Sequence, residues 1–471
     1  MAEQRQTADL SVRNFAGGIS SPNPFWLASA PPTNTGEQIM RAFDAGWGGA
    51  VWKTIGAPVA NVSSRYSATD WMGQRMMGFN NIELISDRPI EVNLREIAEV
   101  KKRYPKHAVI ASLMVESTRE AWHAIVARAE DAGADGLELN FGCPHGMSER
   151  GMGSAVGQVP EYTEQITTWV KEKARTPVLV KLTPNVTDIR ASARAAKRGG
   201  ADGLSAINTI NSITGIDLDT LVPRPNVGGL SSHGGYCGPA VKPIALNMVQ
   251  QIMADTESAL PLSGIGGIGS WRDAAEFLLL GCGTVQVCTA AMHYGYRIVE
   301  DMIDGLENWM IAKGFCNLDD FRGLSVNRVT EWKHLNLNYK IVARIDEQMC
   351  IGCDLCYIAC WDGAHQCIHL DRVSSPVKGH VEAHPIPSVY EAASRASLTV
   401  TPVTRRERDP ASAASGPYLT PLARIPRVDE TECVGCNLCS CVCPVEDCIT
   451  MVEVPTGLAP ETWAERTATK G

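Results

Sequence analysis

Short apolar runs alternate with amphipathic segments along the first 300 or so residues of the chain. Each run has the length of a buried strand, and a polar or glycine-rich turn follows most of them before helical periodicity begins. The pattern predicts eight strands, at Phe25–Ala30, Ala50–Thr54, Ala108–Val115, Gly136–Phe141, Val178–Thr183, Gly203–Thr209, Leu260–Gly266 and Thr284–Cys288.

Eight strand–helix units in succession predict an α/β fold, a (β/α)8 TIM barrel in which parallel strands close on themselves. A faint internal repeat supports this prediction: residues 131–136 and 199–203 both end a helix on glycine before a buried strand. A doubly wound open sheet shows the same alternation and is the alternative that the pattern leaves open.

The cysteines divide the chain. Five of the sixteen lie before residue 317, and eleven lie between Cys350 and Cys448. We therefore predict a barrel domain at 1–316, a connecting segment at 317–345, a cysteine-rich domain at 346–455 and a tail at 456–471. Within the cysteine-rich domain, Pro, Ser and Ala dominate residues 371–430. This composition predicts an irregular insertion.

Two runs of four cysteines share the spacing C-x2-C-x2-C-x3-C, namely Cys350, Cys353, Cys356 and Cys360, then Cys433, Cys436, Cys439 and Cys443. Ferredoxins with two [4Fe–4S] clusters have this pattern, and the fourth cysteine of each run binds the other cluster. We expect a ferredoxin-like domain with two [4Fe–4S] clusters, in which Cys443 joins the first run and Cys360 the second. Zinc is the alternative, but zinc would leave several of these thiols unused. Cys367, Cys441 and Cys448 lie outside the pattern and are expected to be packing residues.

Composition and charge narrow the functional classes. The chain has 471 residues, 44% hydrophobic and 20% charged, which is typical of a globular protein. A net charge of −9 disfavours nucleic acid and anionic membranes as partners. The polar amino terminus lacks the pattern of a secretory signal, and no apolar run is long enough to span a membrane. These features predict a cytoplasmic protein, in which cysteines more often bind metals or act in catalysis than form disulfides.

Active sites of such barrels lie at the carboxyl ends of the strands. In this chain those positions carry lysines, amides, hydroxyls and a thiol: Ser29, Lys53, Thr54, Asn140, Cys143, Lys181, Asn208, Thr209, Cys288 and Thr289. A buried lysine ammonium stabilises the negative charge of a reduced flavin, and so the set favours a flavin site.

Residues 264–269 match the dinucleotide motif G-x-G-x-x-G. They follow the seventh barrel strand, however, and no acidic residue ends another strand about 20 residues later, as a dinucleotide site requires. We interpret Gly266 and Gly267 as a cradle for the phosphate of flavin mononucleotide (FMN). We accordingly expect no NAD(P)H site in this chain.

Cys143 lies in a glycine-rich turn after the fourth strand. This composition suits a mobile lid, and a thiol can act as a general acid or base. A buried cysteine taken alone is more often inert, so an inert Cys143 stays open at this point. His145 is a candidate for tuning the thiol, with a solvent-facing histidine as the simpler reading.

Several motifs at these strand ends resemble the dihydroorotate and dihydropyrimidine dehydrogenase family. They are NPFWLASA, VWKT, NNIELIS, LELNFGCPHGMSERGMG, VKLTPNVTD, INT and SGIGGI. The resemblance runs from about Leu10 to Met451. It is greatest to the catalytic subunits of the two-subunit bacterial dihydropyrimidine dehydrogenases, because dihydroorotate dehydrogenases lack the fused two-cluster module.

The resemblance implies that Cys143 exchanges a proton with C5 of a pyrimidine while FMN N5 exchanges hydride with C6. It places a set of polar side chains against the pyrimidine: Asn81, Glu83, Asn140, Asn208 and Thr209. It places a second set against FMN: Ser29, Lys53, Thr54, Lys181, Gly238, Gly266, Gly267, Cys288 and Thr289. Gly142 departs from the single-chain animal enzymes, which have Ser at that position.

The activity implied is the reversible NAD(P)H-dependent reduction of uracil or thymine at the 5,6 bond, by an oxidoreductase acting on CH–CH groups. The resemblance also implies a partner subunit that carries FAD and the NAD(P)H site, in a heterotetramer, with electrons passing through FAD and the clusters to FMN. Two other functions remain open. One is a dihydroorotate-type or other cyclic-amide dehydrogenase, and the other is an electron-transfer or scaffold protein with an idle barrel.

Overall fold

The computed structural model describes residues 7–71, 73–144, 146–372 and 424–468, without the side chains of 371, 372, 424 and 425. His145 and most of the predicted insertion therefore lie outside the described residues. The chain divides into two compact units, Met1–Val329 and Thr330–Gly471. The first unit extends past the predicted barrel end at 316, because Phe321 is fully buried with its ring 5.1 Å from that of Trp309.

The strands of the first unit follow the chain in this order: β1 (Val12–Phe15), β2 (Ile19–Ser21), β3 (Phe25–Leu27), β4 (Gly49–Val51), β5 (Tyr66–Trp71), β6 (Gln74–Asn81), β7 (Ala108–Leu113), β8 (Gly136–Asn140), β9 (Val178–Lys181), β10 (Gly203–Ala206), β11 (Ile210–Ser212), β12 (Gly234–Cys237), β13 (Leu262–Ile265) and β14 (Cys282–Val287). Within the described ranges, eight parallel strands close into a barrel in the order β10-β13-β14-β3-β4-β7-β8-β9.

Closure of this barrel confirms the predicted fold. The last barrel strand pairs with the first, with Val285 opposite Phe25, which excludes the open doubly wound sheet. Each predicted strand overlaps an observed barrel strand. All eight observed strands end earlier than predicted, because residues such as Lys53 and Thr54 leave the sheet at the carboxyl ends and turn toward the barrel mouth.

Helices surround the barrel: α1 (Gly36–Ala45), α2 (Ile90–Arg103), α3 (Arg119–Asp131), α4 (Ser154–Gly157), α5 (Pro160–Lys173), α6 (Ile189–Arg198), α7 (Lys242–Ala254), α8 (Trp271–Leu279), α9 (Thr289–Tyr294) and α10 (Ile298–Lys313). Local sequence sets their ends. Thr35 caps α1 by accepting a hydrogen bond from the Gln38 N–H at 3.2 Å, and α1 stops at Gly46 with φ 115°. A polar cap and a left-handed glycine satisfy the exposed backbone groups at either end of a helix.

An antiparallel sheet that the apolar pattern did not predict has the order β11-β12-β6-β5. Its strands come from the segments after β4 and after β10. Phe79, Asn81, Tyr236 and Cys237 from β6 and β12 line the same cavity as the barrel ends. The sheet therefore supplies one wall of the barrel mouth.

The second unit contains β15 (Ile341–Ile345), α11 (Leu355–Gly363), β16 (Ile368–Arg372), β17 (Arg424–Val428), α12 (Leu438–Val442), β18 (Ile449–Glu453) and α13 (Trp463–Ala468). β15 pairs with β18 and β16 with β17, both antiparallel. Two antiparallel strand pairs, each in contact with a cysteine-bearing helix, match the predicted ferredoxin-like domain.

Both ends of the predicted insertion, at 371–372 and 424–428, belong to strands β16 and β17 instead of irregular chain. The segment predicted as a tail also carries structure, since Thr462 forms a bridge with Asn336 and the Trp463 ring lies 6.1 Å from that of Trp332. Among the described helices, none has the length and apolar character needed to cross a bilayer.

Candidate active site

A cavity of about 620 Å³ opens at the carboxyl ends of the barrel strands. Its lining contains every barrel residue that the sequence singled out for substrate, cofactor or catalysis: Ser29, Lys53, Thr54, Asn81, Glu83, Asn140, Cys143, Lys181, Asn208, Thr209, Gly238, Gly266, Gly267, Cys288 and Thr289. The volume lies within the range of small-molecule and cofactor sites. The structure therefore brings these residues together in one place.

An ion pair between Lys53 and Glu83 lies in this cavity. Lys53 Nζ is 2.5 Å from Glu83 Oε1, and the two side chains are 5% and 7% exposed. The other carboxylate oxygen accepts hydrogen bonds from Arg65, at 3.2 Å, and from the Tyr66 hydroxyl. Burial alone would raise the pKa of Glu83, but hydrogen bonds from Lys53 and Tyr66 and the nearby cations outweigh it and lower the pKa.

The neighbouring Tyr66 hydroxyl stays protonated. Burial and the negatively charged Glu83 both raise the pKa of Tyr66. Lys53 and Arg65 thus supply two positive charges to a single carboxylate, while Tyr66 supplies a neutral donor. The carboxylate of Glu83 is ionised at neutral pH and can act only as an acceptor.

A second lysine–glutamate pair lies deeper in the barrel. Lys181 Nζ is 3.6 Å from Glu138 Oε1, and Glu138 is fully buried. The Gln286 side-chain amide donates to Glu138 Oε2 at 3.1 Å. Lys181 and Gln286 line the cavity, whereas Glu138 is not among its lining residues.

Amides and hydroxyls form a chain across the cavity. The Asn208 amide donates to Asn140 Oδ1 at 3.0 Å, and the Asn140 amide donates to Thr54 Oγ1 at 2.9 Å. Thr54 lies 3.1 Å from the Ser29 hydroxyl, and the Thr209 N–H donates to Asn208 Oδ1 at 2.8 Å. Each amide is oriented by its neighbour, so its O and N atoms have defined positions.

Cys143 lies on the loop after β8 and is 8% exposed. It packs in a small apolar cluster with Met114, Met147 and Met152. The Ser154 N–H donates to the Cys143 carbonyl at 3.0 Å and ties the loop back to α4. The thiol therefore sits on a folded loop at the cavity wall and not in the barrel core.

The loop approaches the amide chain closely at Gly142. A Cβ at this position would lie 2.3 Å from Asn208 Nδ2 and 2.4 Å from Asn208 Cβ. These distances are too short for any side chain unless Asn208 moves. In this structure glycine is therefore required at 142, which gives a physical reason for the departure noted in the sequence.

The other two cavity thiols are neutral at physiological pH. Burial raises the pKa of Cys288 to about 12 and that of Cys237 to about 11. The Thr289 hydroxyl donates to Cys237 Sγ at 3.2 Å. A protonated thiol is a poor nucleophile, so neither Cys288 nor Cys237 is activated for nucleophilic attack.

Two small cavities in the second unit collect the cysteines of the two runs. One is lined by Cys350, Cys353, Cys356, Cys443 and Cys448. The other is lined by Cys360, Cys367, Cys433, Cys436 and Cys439. The fourth cysteine of each run thus meets the first three of the other run, which is the grouping that the motif predicts, while cluster binding itself stays a prediction.

The two extra thiols at these cavities are Cys367 and Cys448, which were predicted to be packing residues. Cys367 Sγ lies 3.6 Å from Cys360 Sγ, and Cys448 Sγ donates to the Asp346 carbonyl at 3.7 Å. Cys441, by contrast, is exposed.

Comparison with known proteins identifies the barrel. The family model for dihydroorotate dehydrogenase matches residues 14–310, which is more than half of the chain. The chain belongs to the dihydroorotate dehydrogenase family. The match covers all eight barrel strands and every site residue of the first unit.

Three relatives of this dihydroorotate dehydrogenase family member are named as dihydropyrimidine or dihydroorotate dehydrogenases. The NAD-dependent dihydropyrimidine dehydrogenase subunit PreA of Escherichia coli K12 is 47% identical over 362 residues, 76% of this chain and 87% of that protein. The chloroplastic dihydropyrimidine dehydrogenase (NADP(+)) of Arabidopsis thaliana is 44% identical, over 68% of this chain and 78% of its own. The catalytic subunit of dihydroorotate dehydrogenase B (NAD(+)) of Pyrococcus horikoshii is 36% identical, over 67% and 98%.

The dihydroorotate dehydrogenase family implies FMN, and the cavity residues fit that group. The backbone N–H of Gly267 has no acceptor in the described part of the chain, and Gly267 has φ 74°. Such an N–H is suited to a phosphate. Gln286 Oε1, also at the cavity, has no partner among the described residues, and Lys181 supplies a buried cation. The Gly267 N–H would suit the flavin phosphate, Gln286 Oε1 an N–H of the flavin ring, and the Lys181 ammonium the negative charge of the reduced ring.

Four residues of this dihydroorotate dehydrogenase site were missed from the sequence. Glu138 and Gln286 had a signal, because each lies two residues before a predicted site residue and so points to the same face of its strand. Arg65 and Tyr66 had none, since they precede or begin a strand of the unpredicted outer sheet.

Proposed function

We propose that this chain is the catalytic subunit of an NAD(P)H-dependent dihydropyrimidine dehydrogenase, which reduces uracil or thymine to the 5,6-dihydropyrimidine. The observation that carries the proposal is that the Cys143 loop and the amide chain of Asn140 and Asn208 share one cavity with two buried lysines. Identities of 47% and 44% to two dihydropyrimidine dehydrogenases support the same substrate class.

The polar lining suits a flat cyclic diamide. A pyrimidine presents two C=O acceptors and two N–H donors at its edge, and the side-chain amides of Asn81, Asn140 and Asn208 can offer complementary donors and acceptors. Glu83 adds an ionised acceptor and Thr209 a hydroxyl. A site built from oriented hydrogen-bonding groups rejects analogues that lack these groups more strongly than an apolar pocket does.

Cys143 is the proton donor in this proposal. Its S–H bond breaks as the proton passes to C5 of the pyrimidine, and the thiolate is then reprotonated by solvent. Cys143 lies on the loop after β8 and lines the cavity, where a thiol can approach a bound ring from one side.

Ser29, Lys53, Thr54, Lys181, Gly238, Gly266, Gly267, Cys288 and Thr289 would hold FMN. Bound FMN supplies the hydride that goes to C6. The ammonium groups of Lys53 and Lys181 favour negative charge in the cavity, and the rest of the set positions the ring and its phosphate. The asparagines would bind the pyrimidine, and Cys143 would donate the proton to its C5 atom.

The second unit is proposed to carry two [4Fe–4S] clusters. Cys350, Cys353, Cys356 and Cys443 would bind one, and Cys433, Cys436, Cys439 and Cys360 the other, as their two cavities suggest. Electrons would come from a partner subunit with FAD and an NAD(P)H site, in a cytoplasmic heterotetramer. A relative whose name includes "subunit" supports the need for a partner.

A second candidate is the oxidation of dihydroorotate or a related cyclic amide. The family match and the 36% identity to a dihydroorotate dehydrogenase B catalytic subunit favour it. The proposed two-cluster unit favours the first candidate. The dihydroorotate dehydrogenase B subunit is matched over 98% of its own length by only 67% of this chain, so it has no counterpart for the rest of the chain.

The deciding experiment uses the chain purified anaerobically with its FAD-bearing partner. We expect uracil or thymine to support oxidation of NADH or NADPH and to reoxidise the reduced flavin, with orotate giving neither effect. Orotate-dependent turnover without uracil-dependent turnover would establish the second candidate. A preparation without flavin would overturn both.

A further inference from the structure

The buried carboxylate of Glu138 is a charge that the proposed reaction does not use. Glu138 lies on β8, two residues before Asn140, and none of its surface is exposed. Its cationic neighbour is Lys181, with 3.6 Å between Nζ and Oε1, and its hydrogen-bond donor is the Gln286 amide at 3.1 Å. Burying an ionised carboxylate is unfavourable unless another group compensates it.

The compensation at Glu138 is incomplete in the described part of the chain. Glu138 Oε1 has no hydrogen-bond partner there, because Lys181 Nζ lies beyond hydrogen-bond distance. The same Gln286 amide that donates to Glu138 also lies within 3.3 Å of two serine hydroxyls, on Ser205 and Ser263. An arrangement chosen for stability alone would place an apolar side chain here.

The two lysine–glutamate pairs of the cavity differ in their geometry. Lys53 contacts its carboxylate directly at 2.5 Å, and Arg65 supplies a second cation. Lys181 lines the cavity, whereas Glu138 does not. The Glu138 carboxylate is therefore the more deeply buried partner of this pair. Lys181 is therefore held by a distant counter-ion and keeps its ammonium available toward the cavity.

We propose that Glu138 is a positioning residue that holds Lys181 at the cavity wall and limits the positive potential that a bound flavin experiences. The proposal rests on the proposed function, because it requires FMN in this cavity. A negative charge behind Lys181 opposes the stabilisation of an anionic reduced flavin, so the flavin remains a stronger hydride donor. At close range and in low dielectric, one added or removed charge has a large effect.

The test is an anaerobic spectroelectrochemical titration of flavin in the complete enzyme. Glu138→Gln keeps the shape and the acceptor for Gln286 but removes the charge. We expect this variant to raise the equilibrium ratio of reduced to oxidised flavin at least tenfold. For a two-electron couple this is a rise of about 30 mV in the flavin midpoint potential. Glu130→Gln is the matched control, since Glu130 is a buried carboxylate paired with Arg175. Arg175 precedes β9, whereas Lys181 ends that strand, so the control removes a charge far from the cavity end of β9.

A second variant, Glu138→Asp, keeps the proposal testable if Glu138→Gln does not fold or does not bind flavin. Glu138→Asp retains the charge but withdraws it from Lys181, and we expect a potential between those of the wild type and the Gln variant. A flavin-loaded variant with the wild-type potential would overturn the positioning role and leave the proposed function intact. A wild-type chain that binds no FMN would instead overturn the proposed function.

Discussion

Lys53 Nζ and Glu83 Oε1 lie 2.5 Å apart at the mouth of the barrel, with both side chains withdrawn from solvent. Lys53 follows barrel strand β4, whereas Glu83 follows β6 of the outer sheet. The pair therefore joins the two layers that enclose the cavity. Its geometry makes each partner dependent on the other, because a buried charge without its counter-ion is strongly unfavourable.

Glu83→Gln should destabilise the barrel unit by about 3 kcal/mol, because Lys53 and Arg65 lose their common counter-ion. The measurement is the urea midpoint of the apoprotein followed by far-UV circular dichroism. Glu99→Gln is the control, since Glu99 forms a solvent-exposed pair with Arg95 at 3.9 Å. Equal midpoints for the two variants would show that the buried pair contributes no more than a surface pair.

Cys143→Ala should keep bound FMN and lose about 100-fold or more in kcat for uracil reduction, the scale of general acid catalysis. Flavin absorbance checks the first expectation and anaerobic NAD(P)H oxidation the second. Cys316→Ala removes an exposed thiol and should behave as the wild type. Full turnover by the Cys143 variant would end the assignment of a proton-donor role to that thiol.

Gly142→Ala should raise the KM for uracil about tenfold, the equivalent of one lost hydrogen bond. The added Cβ would lie 2.4 Å from Asn208 Cβ, so Asn208 must shift and its bond to Asn140 is broken. Gly215→Ala is the control, because a Cβ there meets nothing within 4 Å. Unchanged KM values in both variants would mean that the amide chain does not position the substrate.

Cys443→Ala should lower the iron content from about eight to about four atoms per chain, because one of two [4Fe–4S] clusters loses a ligand. Iron analysis and electron paramagnetic resonance of the reduced protein provide the measurement. Cys441→Ala removes an exposed cysteine two residues away and should retain all the iron. Complete iron in the Cys443 variant would contradict the ligand set drawn from the two cavities.

Much of the barrel could be read from local pattern. Its strands are short, apolar and buried on all sides, as in β9, where all four residues from Val178 to Lys181 are buried. Such runs are visible in a sequence because burial on both faces removes the polar alternation. The cysteine spacing was equally local, since one loop supplies three of the four expected ligands of each cluster.

The outer sheet shows where this reading failed. β5 runs from Tyr66 to Trp71 with no residue fully buried, and β12 begins with two glycines. Neither segment has the period or the composition of a typical strand. Their pairing with β6 depends on neighbours far away in the chain, and so Arg65 and Tyr66 could not be assigned to the site beforehand.

By itself, the sequence determined which side chains stand at the strand ends and which cysteines share a loop, because both are properties of neighbouring residues. The tertiary structure alone decided which charges meet. Lys53 pairs with Glu83, 30 residues away in the sequence, and Lys181 pairs with Glu138, 43 residues away. Coulombic interactions depend on distance and burial in space, and neither quantity is set until the barrel closes.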